Sequence, residues 1–396
     1  MRHWTFSPAE KMVPHSKLSN CWLRSFNLRL SKRRLLGGSF LRERAETRIL
    51  YLLAPSKKTI WELLENFNAP LKDFIISLKN LSENGLIAFD KGEFYLTEKG
   101  KKEVNPESLK FESRICPECS GKRVVFEGKF KEILAEFKGI TKKRPPPTID
   151  FFQGYMREQD VISRVALMHH YNDLDGKEIV LIGDDDLLSI ALSLTKLPAR
   201  IVVLDIDKRL GEFIKEVNKE YGFAIEFKEY NVAHPLPADV IGKFDVFSSE
   251  PLETLTGLKA FICRGVSCLK ENGVGYFGLT VLEASHKKWL AVQRLLTKMN
   301  CVITDVVQGF SAYPMDYVNV NYEKFVYDMG FIVDKNPGIN WYKSSLFRFE
   351  VLGKLKLLIK PDEYVMVKSV DPKEDLTHPS LYPSIRKMFN KRVHNQ

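Results

Sequence analysis

The sequence predicts an α/β fold in which a largely parallel sheet follows a smaller helical domain. From Asp150 onward, apolar segments of strand length alternate with helical patterns. Strand interiors such as residues 179–182 are apolar throughout, which fits burial on both faces of a sheet. Strands joined through helices run parallel and bind ligands at their carboxyl ends. We therefore expect a Rossmann-like domain over residues 149–360.

The positive charge of the chain is concentrated at its N-terminus. The net charge is +10, and residues 1–50 hold eleven Lys and Arg residues against three Asp and Glu residues, so the remaining chain is near neutral. This distribution is weak support for a body that binds nucleic acid. Residues 1–42 show no steady periodicity, and we expect them to form a disordered basic leader without a function.

Hydropathy and the cysteine pattern indicate where in the cell the protein is located. No run of about 18 apolar residues is present, so we expect no transmembrane helix and no membrane partner. The leader has no uninterrupted apolar region of the kind found in secretory signals. The six cysteines are mostly scattered and form no disulfide pattern, which indicates a cytoplasmic protein.

Residues 43–105 predict a winged-helix-like domain. Helical patterns cover residues 43–54, 59–67 and 70–83, and a hairpin pattern surrounds Asp90-Lys91-Gly92. One hypothesis for such a domain is DNA binding, but residues 59–84 carry two lysines against four acids, whereas a recognition helix normally brings Lys or Arg to phosphates. We favour the interpretation of this domain as a dimerisation or lid module, and a homodimer is therefore one of the assemblies that the sequence allows.

Residues 106–148 predict a connector with two features. Cys116 and Cys119 form a CxxC pair, which is half of a zinc knuckle, but no second CxxC or His pair follows nearby. We therefore favour a turn between domains over a metal site. Residues 138–148 are a linker that Pro145, Pro146 and Pro147 stiffen. The tail, residues 361–396, is interpreted as a mobile cover or a disordered segment.

The elements of the α/β domain follow in order along the chain. The first strand ends at Gly183, and a helix begins near Leu187. Further strands are predicted at residues 200–205, 225–230, 244–249 and 273–279, with helices to about Tyr221 and over residues 254–269. Since parallel strands end at one edge of a sheet, the residues that follow them are the candidate site.

Acids follow most of these strands. The first strand is followed by Asp184, Asp185 and Asp186, where a nucleotide-binding turn is usually rich in glycine. An acid at Asp205 suits ribose hydroxyls. Any single acid at such a position could instead cap a helix or lie in a solvated turn. Because several of these acids follow strands that end at the same edge of the sheet, together they indicate a ligand site. The other polar residues at this edge are Asp207, Asn231 (where adenine often lies), Glu250, Glu253 and Glu283.

The acid-rich edge predicts a cationic ligand. The layout resembles class I S-adenosylmethionine-dependent transferases, and Glu250-Pro251 resembles the turn with which amino-methyltransferases hold a target nitrogen. The carboxylate of ordinary S-adenosylmethionine would be repelled by residues 184–186, at roughly 1–4 kcal/mol per close like-charge pair. A donor without that carboxylate, together with a polyamine, would suit three aspartates.

The specific resemblance is to branched-chain polyamine synthases, the N4-bis(aminopropyl)spermidine synthases. It is carried by residues 183–186, by "VVLDID" and by "FDVFSSEPLETLTGLKAFICRGVSCLK", and it covers residues 43–360. It implies a winged-helix-like domain before a Rossmann-like one, and transfer of the aminopropyl group of decarboxylated S-adenosylmethionine to the secondary amine of spermidine. Two positions depart from the family: Glu250-Pro251-Leu252 replaces Asp-Pro-Pro, and Phe152 stands where an acid is common.

The resemblance also implies the role of each candidate residue. Asp185 would take the proton of the attacking amine, while Asp184 and Asp186 would position the amine or the donor. The donor would contact Gly183, Asp205, Asp207 and Asn231, and the amine would contact Glu250, Glu253 and Glu283. No metal and no cofactor besides the donor are expected, and Tyr155 and Tyr276 are assigned to core packing.

Two alternatives belong to other classes of protein. An amino-methyltransferase acting on nucleic acid would explain the winged-helix pattern and the Glu250-Pro251 turn, but not the acidic triplet. A transcriptional regulator with a ligand-sensing domain would need a basic recognition helix, which residues 59–84 do not supply. We therefore expect a polyamine partner and no nucleic-acid partner.

Overall fold

The computed structural model describes residues 40–111 and 114–370. The described residues from Ala45 onward belong to one compact unit. Residues 1–39 of the leader, for which we predict disorder, lie outside the described residues. The tail beyond residue 370 also lies outside them. Within the described parts, no helix is both long enough and apolar enough to cross a membrane. The cytoplasmic location stays a prediction.

The N-terminal elements appear in the predicted order. They are α1 (Phe40–Leu53), β1 (Lys58–Thr59), α2 (Ile60–Glu65), α3 (Leu71–Glu83), β2 (Ile87–Asp90), β3 (Glu93–Leu96) and α4 (Glu98–Lys101). The three strands form an antiparallel sheet in the order β1-β3-β2. A capping box starts α2, because the Thr59 hydroxyl accepts from Glu62 N–H and the Glu62 carboxylate accepts from Thr59 N–H.

The N-terminal elements pack directly against the α/β part of the chain. The indole of Trp61 donates to the carbonyl of Asp334 at 3.0 Å. At the start of α3, the N–H of Leu71 donates to the carbonyl of Leu282 at 3.0 Å. Leu282 precedes the candidate residue Glu283, so the N-terminal elements back one wall of the predicted site.

The main sheet has seven strands and confirms the α/β prediction. The strands are β4 (Glu178–Ile182), β5 (Arg200–Asp205), β6 (Glu226–Glu229), β7 (Phe244–Ser249), β8 (Leu269–Leu279), β9 (Cys301–Tyr313) and β10 (Tyr342–Val351). They lie in the order β6-β5-β4-β7-β8-β10-β9. Strands β4 to β8 pair in parallel, and β10 pairs antiparallel with both β8 and β9. The closing β9 and β10 were not predicted.

Helices cover both faces of this sheet, as buried parallel strands require. They are α5 (Lys129–Thr141), α6 (Glu158–His170), α7 (Leu188–Thr195), α8 (Lys208–Tyr221), α9 (Leu255–Cys268), α10 (His286–Lys298) and the short α11 (Lys324–Tyr327). Along β4 the side chains alternate: Ile179 and Leu181 join one core cluster, while Val180 and Ile182 join the other.

The described part of the tail is docked on the sheet domain. Buried Arg264, on α9, donates to the carbonyls of Lys360 and Pro361, each at 3.0 Å. The N–H of Val365 donates to the carbonyl of Ala233 at 2.9 Å. Residues 360–369 therefore run beside the loop that follows β6, and Val367 and Ser369 reach the cavity described next.

Candidate active site

A cavity of about 320 Å³ lies at the carboxyl ends of the parallel strands. It is lined by seven of the residues predicted from the sequence: Gly183, Asp185, Asp205, Asn231, Glu250, Glu253 and Glu283. The predicted convergence of strand ends on one edge is thus observed. Asp150 and Phe152, from the segment before α6, also line it.

The cavity has two chemically different halves. One half is formed by apolar side chains, which suit a flat aromatic ring: Ile182, Leu204, Ile206, Val232, Phe261 and Val367. The other half combines acids with tyrosines, which suit a cation: Glu250, Glu253, Glu283, Tyr313, Tyr322 and Tyr342. Asp185 lies on the lining together with residues of both halves.

The turn after β4 requires glycine at its first position. Gly183 has φ of 77°, in the left-handed region that other residues rarely adopt. Its N–H donates to the carbonyl of Leu204 at 2.9 Å, which ties the turn to β5. The turn closes where the N–H of Leu187 donates to the carbonyl of Asp184 at 2.8 Å.

The three aspartates of this turn have different surroundings. Asp184 caps α7: its carboxylate accepts from the N–H of Ser189 at 3.1 Å and from the Ser189 hydroxyl. Asp186 accepts from the N–H of Met156 at 2.6 Å. Within the described residues, Asp185 alone of the three makes no hydrogen bond with its carboxylate, and it alone lines the large cavity.

Burial and the repulsion between neighbouring carboxylates raise the pKa values of the aspartates in this turn. The pKa of Asp185 lies well above its usual value because of burial first and of Asp186, Asp205, Asp184 and Glu250 next. Burial, and then Glu250, raise the pKa of Asp186 to about 7. A raised pKa makes a carboxylate a better proton acceptor, and it also favours pairing with a cation that takes the place of the proton.

Asp205 and Asp207 have different surroundings in the structure. Asp205 lines the cavity, and its two carboxylate oxygens accept from the N–H groups of Asp184 and Asp207, each at 2.8 Å. Asp207 does not line the cavity; it caps α8 and accepts from the Arg209 guanidinium at 2.7 Å and the Gln153 amide at 2.9 Å. The structure therefore brings Asp205, and not Asp207, to the predicted donor side.

Asn231 reaches the cavity from the loop after β6. Its side-chain oxygen accepts from the N–H of Ala233 at 2.9 Å, which fixes the side chain in a local turn. The amide nitrogen of the same side chain is the group left to face a ligand in the apolar half.

Glu250 is held by a buried arginine that was not predicted. Arg164, on α6 and 1% exposed, pairs with the Glu250 carboxylate and donates to the Ser311 hydroxyl at 3.2 Å. The Tyr313 hydroxyl donates to the other Glu250 oxygen at 2.9 Å. The signal in the sequence was a lone arginine inside the apolar run of α6, which indicates a buried partner.

Gly278 on β8 provides room for Glu250. A Cβ atom at this position would lie 1.8 Å from a carboxylate oxygen of Glu250. The glutamate, which is one methylene longer than the aspartate common in the resembled family, therefore lies directly over a residue without a side chain.

Glu253 and Glu283 are two neighbouring acids on the same side of the cavity as Glu250. One Glu253 oxygen accepts from the N–H of Thr280 at 2.6 Å, and the other has no hydrogen-bond partner among the described residues. Glu283 accepts from the Tyr342 hydroxyl at 2.8 Å. Burial, and then Glu283, raise the pKa of Glu253 well above its usual value, and burial raises that of Glu283 to about 8.

Two tyrosines weighed from the sequence lie outside the cavity lining. Tyr276 is buried and contacts Asp173 and Arg348. Tyr155 lies beneath the guanidinium of Arg144, 3.9 Å from its ring centroid. These contacts fit the assignment to core packing. Three tyrosines that line the cavity, Tyr313, Tyr322 and Tyr342, were missed because they belong to β9, β10 and the segment between them.

A metal site inside this cavity has no preformed ligand set. Across residues 40–111 and 114–370, no group of three or more His, Cys, Asp or Glu side chains is arranged to hold a metal ion. The acids of the lining occur together with the aromatic rings of Tyr313, Tyr322 and Tyr342, a combination that suits organic ammonium groups.

Comparison with known proteins gives consistent matches. Residues 132–371 match the family model described as the branched-chain polyamine synthase A C-terminal domain. The chain is 39% identical over 298 residues to the N(4)-bis(aminopropyl)spermidine synthase of Thermococcus kodakarensis, a match that spans 74% of this chain and 84% of that relative. The enzyme of the same name from Thermus thermophilus is 34% identical over 302 residues.

A solved structure extends the match over most of the chain. The branched-chain polyamine synthase of Thermus thermophilus, in complex with N4-aminopropylspermidine and 5′-methylthioadenosine, superposes with a TM-score of 0.73. The two chains are 29% identical, and the match covers 87% of this chain and 95% of that one. The Rossmann-like class of fold expected from the sequence is confirmed.

Proposed function

This chain belongs to the branched-chain polyamine synthase family, and on that premise we propose that it transfers the aminopropyl group of decarboxylated S-adenosylmethionine to the secondary amine of spermidine. The products are a branched polyamine and 5′-methylthioadenosine. The observation that carries the proposal is an unpaired, basic carboxylate, Asp185, on the lining that joins an apolar half-cavity to an acidic one.

The apolar half is assigned to the nucleoside of the donor. Gly183 permits close approach of the ligand to the backbone, Asp205 accepts from ribose hydroxyls, and Asn231 faces the adenine edge. Ordinary S-adenosylmethionine would bring its carboxylate toward the acidic turn, whereas the decarboxylated donor brings only cations. The assignment of Asp207 to the donor is replaced by a role in positioning Asp205, because its N–H donates to that carboxylate.

The acidic half is assigned to the polyamine. Glu250 is proposed to bind one terminal ammonium, and the pair of Glu253 and Glu283 the other. The unpartnered Glu253 oxygen is an acceptor for such a group. With both ends held, the central secondary nitrogen of spermidine lies toward Asp185 and the donor, which favours a branched product.

The chemical step is a displacement at carbon. The secondary amine attacks the propyl carbon bonded to the sulfonium, the C–S bond breaks, and the thioether leaves without a proton. A protonated amine has no lone pair for attack, so Asp185 takes the amine proton, while Asp186 keeps its neighbour basic by charge repulsion. Positioning of both substrates supplies much of the remaining acceleration.

Donor discrimination tests this proposal directly. The decarboxylated donor should bind at least about tenfold more tightly than ordinary S-adenosylmethionine, since the latter adds a carboxylate beside residues 183–186. Calorimetry with both nucleosides, and with 5′-methylthioadenosine as a control without the charged side chain, measures the difference. Tighter binding of ordinary S-adenosylmethionine, with methyl transfer to an amine, would overturn it in favour of an amino-methyltransferase.

Replacing Asp205 by alanine is expected to weaken 5′-methylthioadenosine binding by about tenfold, because the ribose hydroxyls lose a carboxylate acceptor. The Asp207→Ala variant is the matched control and should have a smaller effect, since Asp207 lies off the cavity lining. Calorimetry on both variants checks this. Equal affinities for Asp205→Ala and the wild type would move the ribose contact elsewhere.

Replacing Gly278 by alanine is expected to weaken spermidine binding by about tenfold while leaving the nucleoside affinity unchanged. The new methyl group would overlap the Glu250 carboxylate and force it away from its place. The Gly139→Ala variant, with open space around its glycine, serves as a control. Partial recovery in the Gly278→Ala, Glu250→Asp double variant would support the steric cause; an unchanged spermidine affinity would contradict it.

Stabilisation by polyamine should increase with pH. Because the folded-state pKa values of Asp186 (about 7) and Glu283 (about 8) are raised, their contribution to stability is fully present below about pH 4 and is lost as pH rises through 7 to 8. Ammonium groups reverse this loss by pairing with the ionised acids. The melting-temperature shift caused by spermidine should therefore be larger at pH 9 than at pH 6, and less pH-dependent in Glu283→Gln. A shift that shrinks with pH would contradict the assignment.

A further inference from the structure

The two halves of the cavity are supported by different hydrophobic cores. Five lining residues of the apolar half pack into one cluster of side chains: Ile182, Leu204, Val232, Phe261 and Val367. Three lining tyrosines of the acidic half pack into the other cluster: Tyr313, Tyr322 and Tyr342. Since side chains transmit displacements to the neighbours that they contact, each half is positioned by its own core.

The N-terminal elements, residues 40–105, contribute to only one of these cores. Their buried apolar side chains, from Ala45 in α1 to Val104 after α4, all belong to the cluster that holds the three tyrosines. In the described part of the chain, none of them belongs to the cluster behind the apolar half. The N-terminal elements therefore back the side of the cavity that is assigned to the polyamine.

A main-chain hydrogen bond joins these elements to Glu283. Leu71, the first residue of α3, is buried, and its N–H donates to the carbonyl of Leu282 at 3.0 Å. Burial strengthens such a bond because water does not compete for it. Leu282 precedes Glu283, whose carboxylate accepts from the Tyr342 hydroxyl at 2.8 Å. The position of α3 therefore fixes the backbone that presents Glu283 to the cavity.

An ion pair joins α2 to the strand that carries Tyr342. The carboxylate of Glu65, at the end of α2, lies 3.1 Å from the ammonium of Lys343 on β10. Both neighbours of Lys343 in the sequence, Tyr342 and Ser344, line the cavity. Because successive side chains of a strand point to opposite faces, α2 holds β10 from the face opposite to the cavity.

A third contact holds the segment between β9 and β10, which carries one of the lining tyrosines. The indole of Trp61, on α2, donates to the carbonyl of Asp334 at 3.0 Å. The ring of Phe331 packs against Phe89 on β2 and Phe94 on β3, with ring centroids 5.2 Å and 4.9 Å away. Helix α2 and the hairpin of β2 and β3 thus hold this segment at two points.

We propose that the N-terminal elements position the polyamine-binding wall, so that Trp61, Glu65 and Leu71 determine the affinity for spermidine although none of them lines the cavity. The inference rests on the proposed function, which assigns the acidic half to the polyamine. Acids that are held in place before the ligand arrives lose little freedom on binding, whereas acids that must first be ordered bind their ligand more weakly. The donor side is supported by the other core and should not respond.

The Trp61→Phe, Glu65→Gln double variant tests this inference on the full chain. Phenylalanine keeps an aromatic ring in the core but has no N–H for Asp334, and glutamine keeps the shape of Glu65 but not its charge. We expect the KM for spermidine to rise about three- to tenfold with kcat within about twofold of the wild type, because binding alone is weakened. The affinity for 5′-methylthioadenosine, measured by calorimetry, should stay unchanged. Glu65→Gln alone, which leaves the core intact, should shift the KM in the same direction.

Glu62→Ala is the matched control on the same helix. The Glu62 carboxylate accepts from the N–H and the hydroxyl of Thr59 and so caps α2. Its loss should lower the melting temperature without raising the KM for spermidine, which separates destabilisation from positioning. The inference is overturned if the wild type forms the branched product while the double variant and Glu65→Gln keep the wild-type KM, or if the affinity for 5′-methylthioadenosine falls as much as that for spermidine. A wild type that transfers no aminopropyl group would overturn the proposed function, and this inference with it.

Discussion

Replacing Asp185 by asparagine is expected to lower aminopropyl transfer by roughly 10²- to 10⁴-fold, the range lost when a positioned general base is removed. Asparagine keeps the shape of the side chain but accepts no proton, so spermidine would bind with its central nitrogen still protonated. Because the Asp185 carboxylate makes no hydrogen bond within the described residues, its removal leaves no protein group unpaired. The melting temperature should therefore hold or rise. Turnover under saturating donor and spermidine measures the effect.

The neighbouring aspartate provides the matched control. Asp184→Asn keeps only one of the two carboxylate oxygens that accept from Ser189, so it should cost roughly 0.5–1.5 kcal/mol of unfolding free energy for the lost hydrogen bond while lowering turnover far less than Asp185→Asn does. The two isosteric changes thus separate a structural acid from a chemical one. A turnover of Asp185→Asn within about threefold of the wild type would contradict the assignment of the base.

Replacing Glu250 by glutamine is expected to raise the KM for spermidine at least about tenfold and to lower the free energy of unfolding by roughly 3 kcal/mol. The first effect follows from loss of the carboxylate proposed to bind a terminal ammonium. The second follows from Arg164, which would remain buried without its counter-charge. The KM for the donor should change little. Steady-state kinetics and denaturant unfolding measure the two effects separately.

Two further variants separate the amine contact from the ion pair. The Arg164→Met, Glu250→Gln double variant removes both charges, so it should regain much of the lost stability and keep the raised KM. Glu226→Gln breaks a more exposed pair with Arg200 and should change neither quantity appreciably. Recovery of the spermidine KM in the double variant would show that Glu250 acts only by neutralising Arg164.

The candidate site was predictable where its residues follow strands. The acids after β4, β5 and β7 lie within a few residues of apolar runs, and parallel pairing brings every such strand end to one edge. The partners of these acids were not predictable in the same way. Arg164 and Tyr342 reach Glu250 and Glu283 from 86 and 59 positions away along the chain, and no local pattern reports such a contact.

The differences among the aspartates show the same limit. Five aspartates occur near the first two turns, yet Asp184 accepts hydrogen bonds at the start of a helix and Asp207 pairs with Arg209 and Gln153. Which carboxylate faces the cavity depends on the exact φ and ψ of the turn, such as the left-handed Leu187. Strand β10 lies between β8 and β9 and pairs antiparallel with both. This part of the sheet was not predicted, because the alternation of strands and helices indicates only the parallel strands.

The regiochemistry of the product is the most direct measurement of the proposed reaction. The enzyme is incubated with spermidine and decarboxylated S-adenosylmethionine, and the polyamines are separated by chromatography and fragmented in a mass spectrometer. We expect an aminopropyl group on the central nitrogen of spermidine, with 5′-methylthioadenosine released in equal amount. A product that is only linear spermine would contradict the placement of spermidine between Glu250 and the Glu253–Glu283 pair, and a methylated amine would contradict aminopropyl transfer itself.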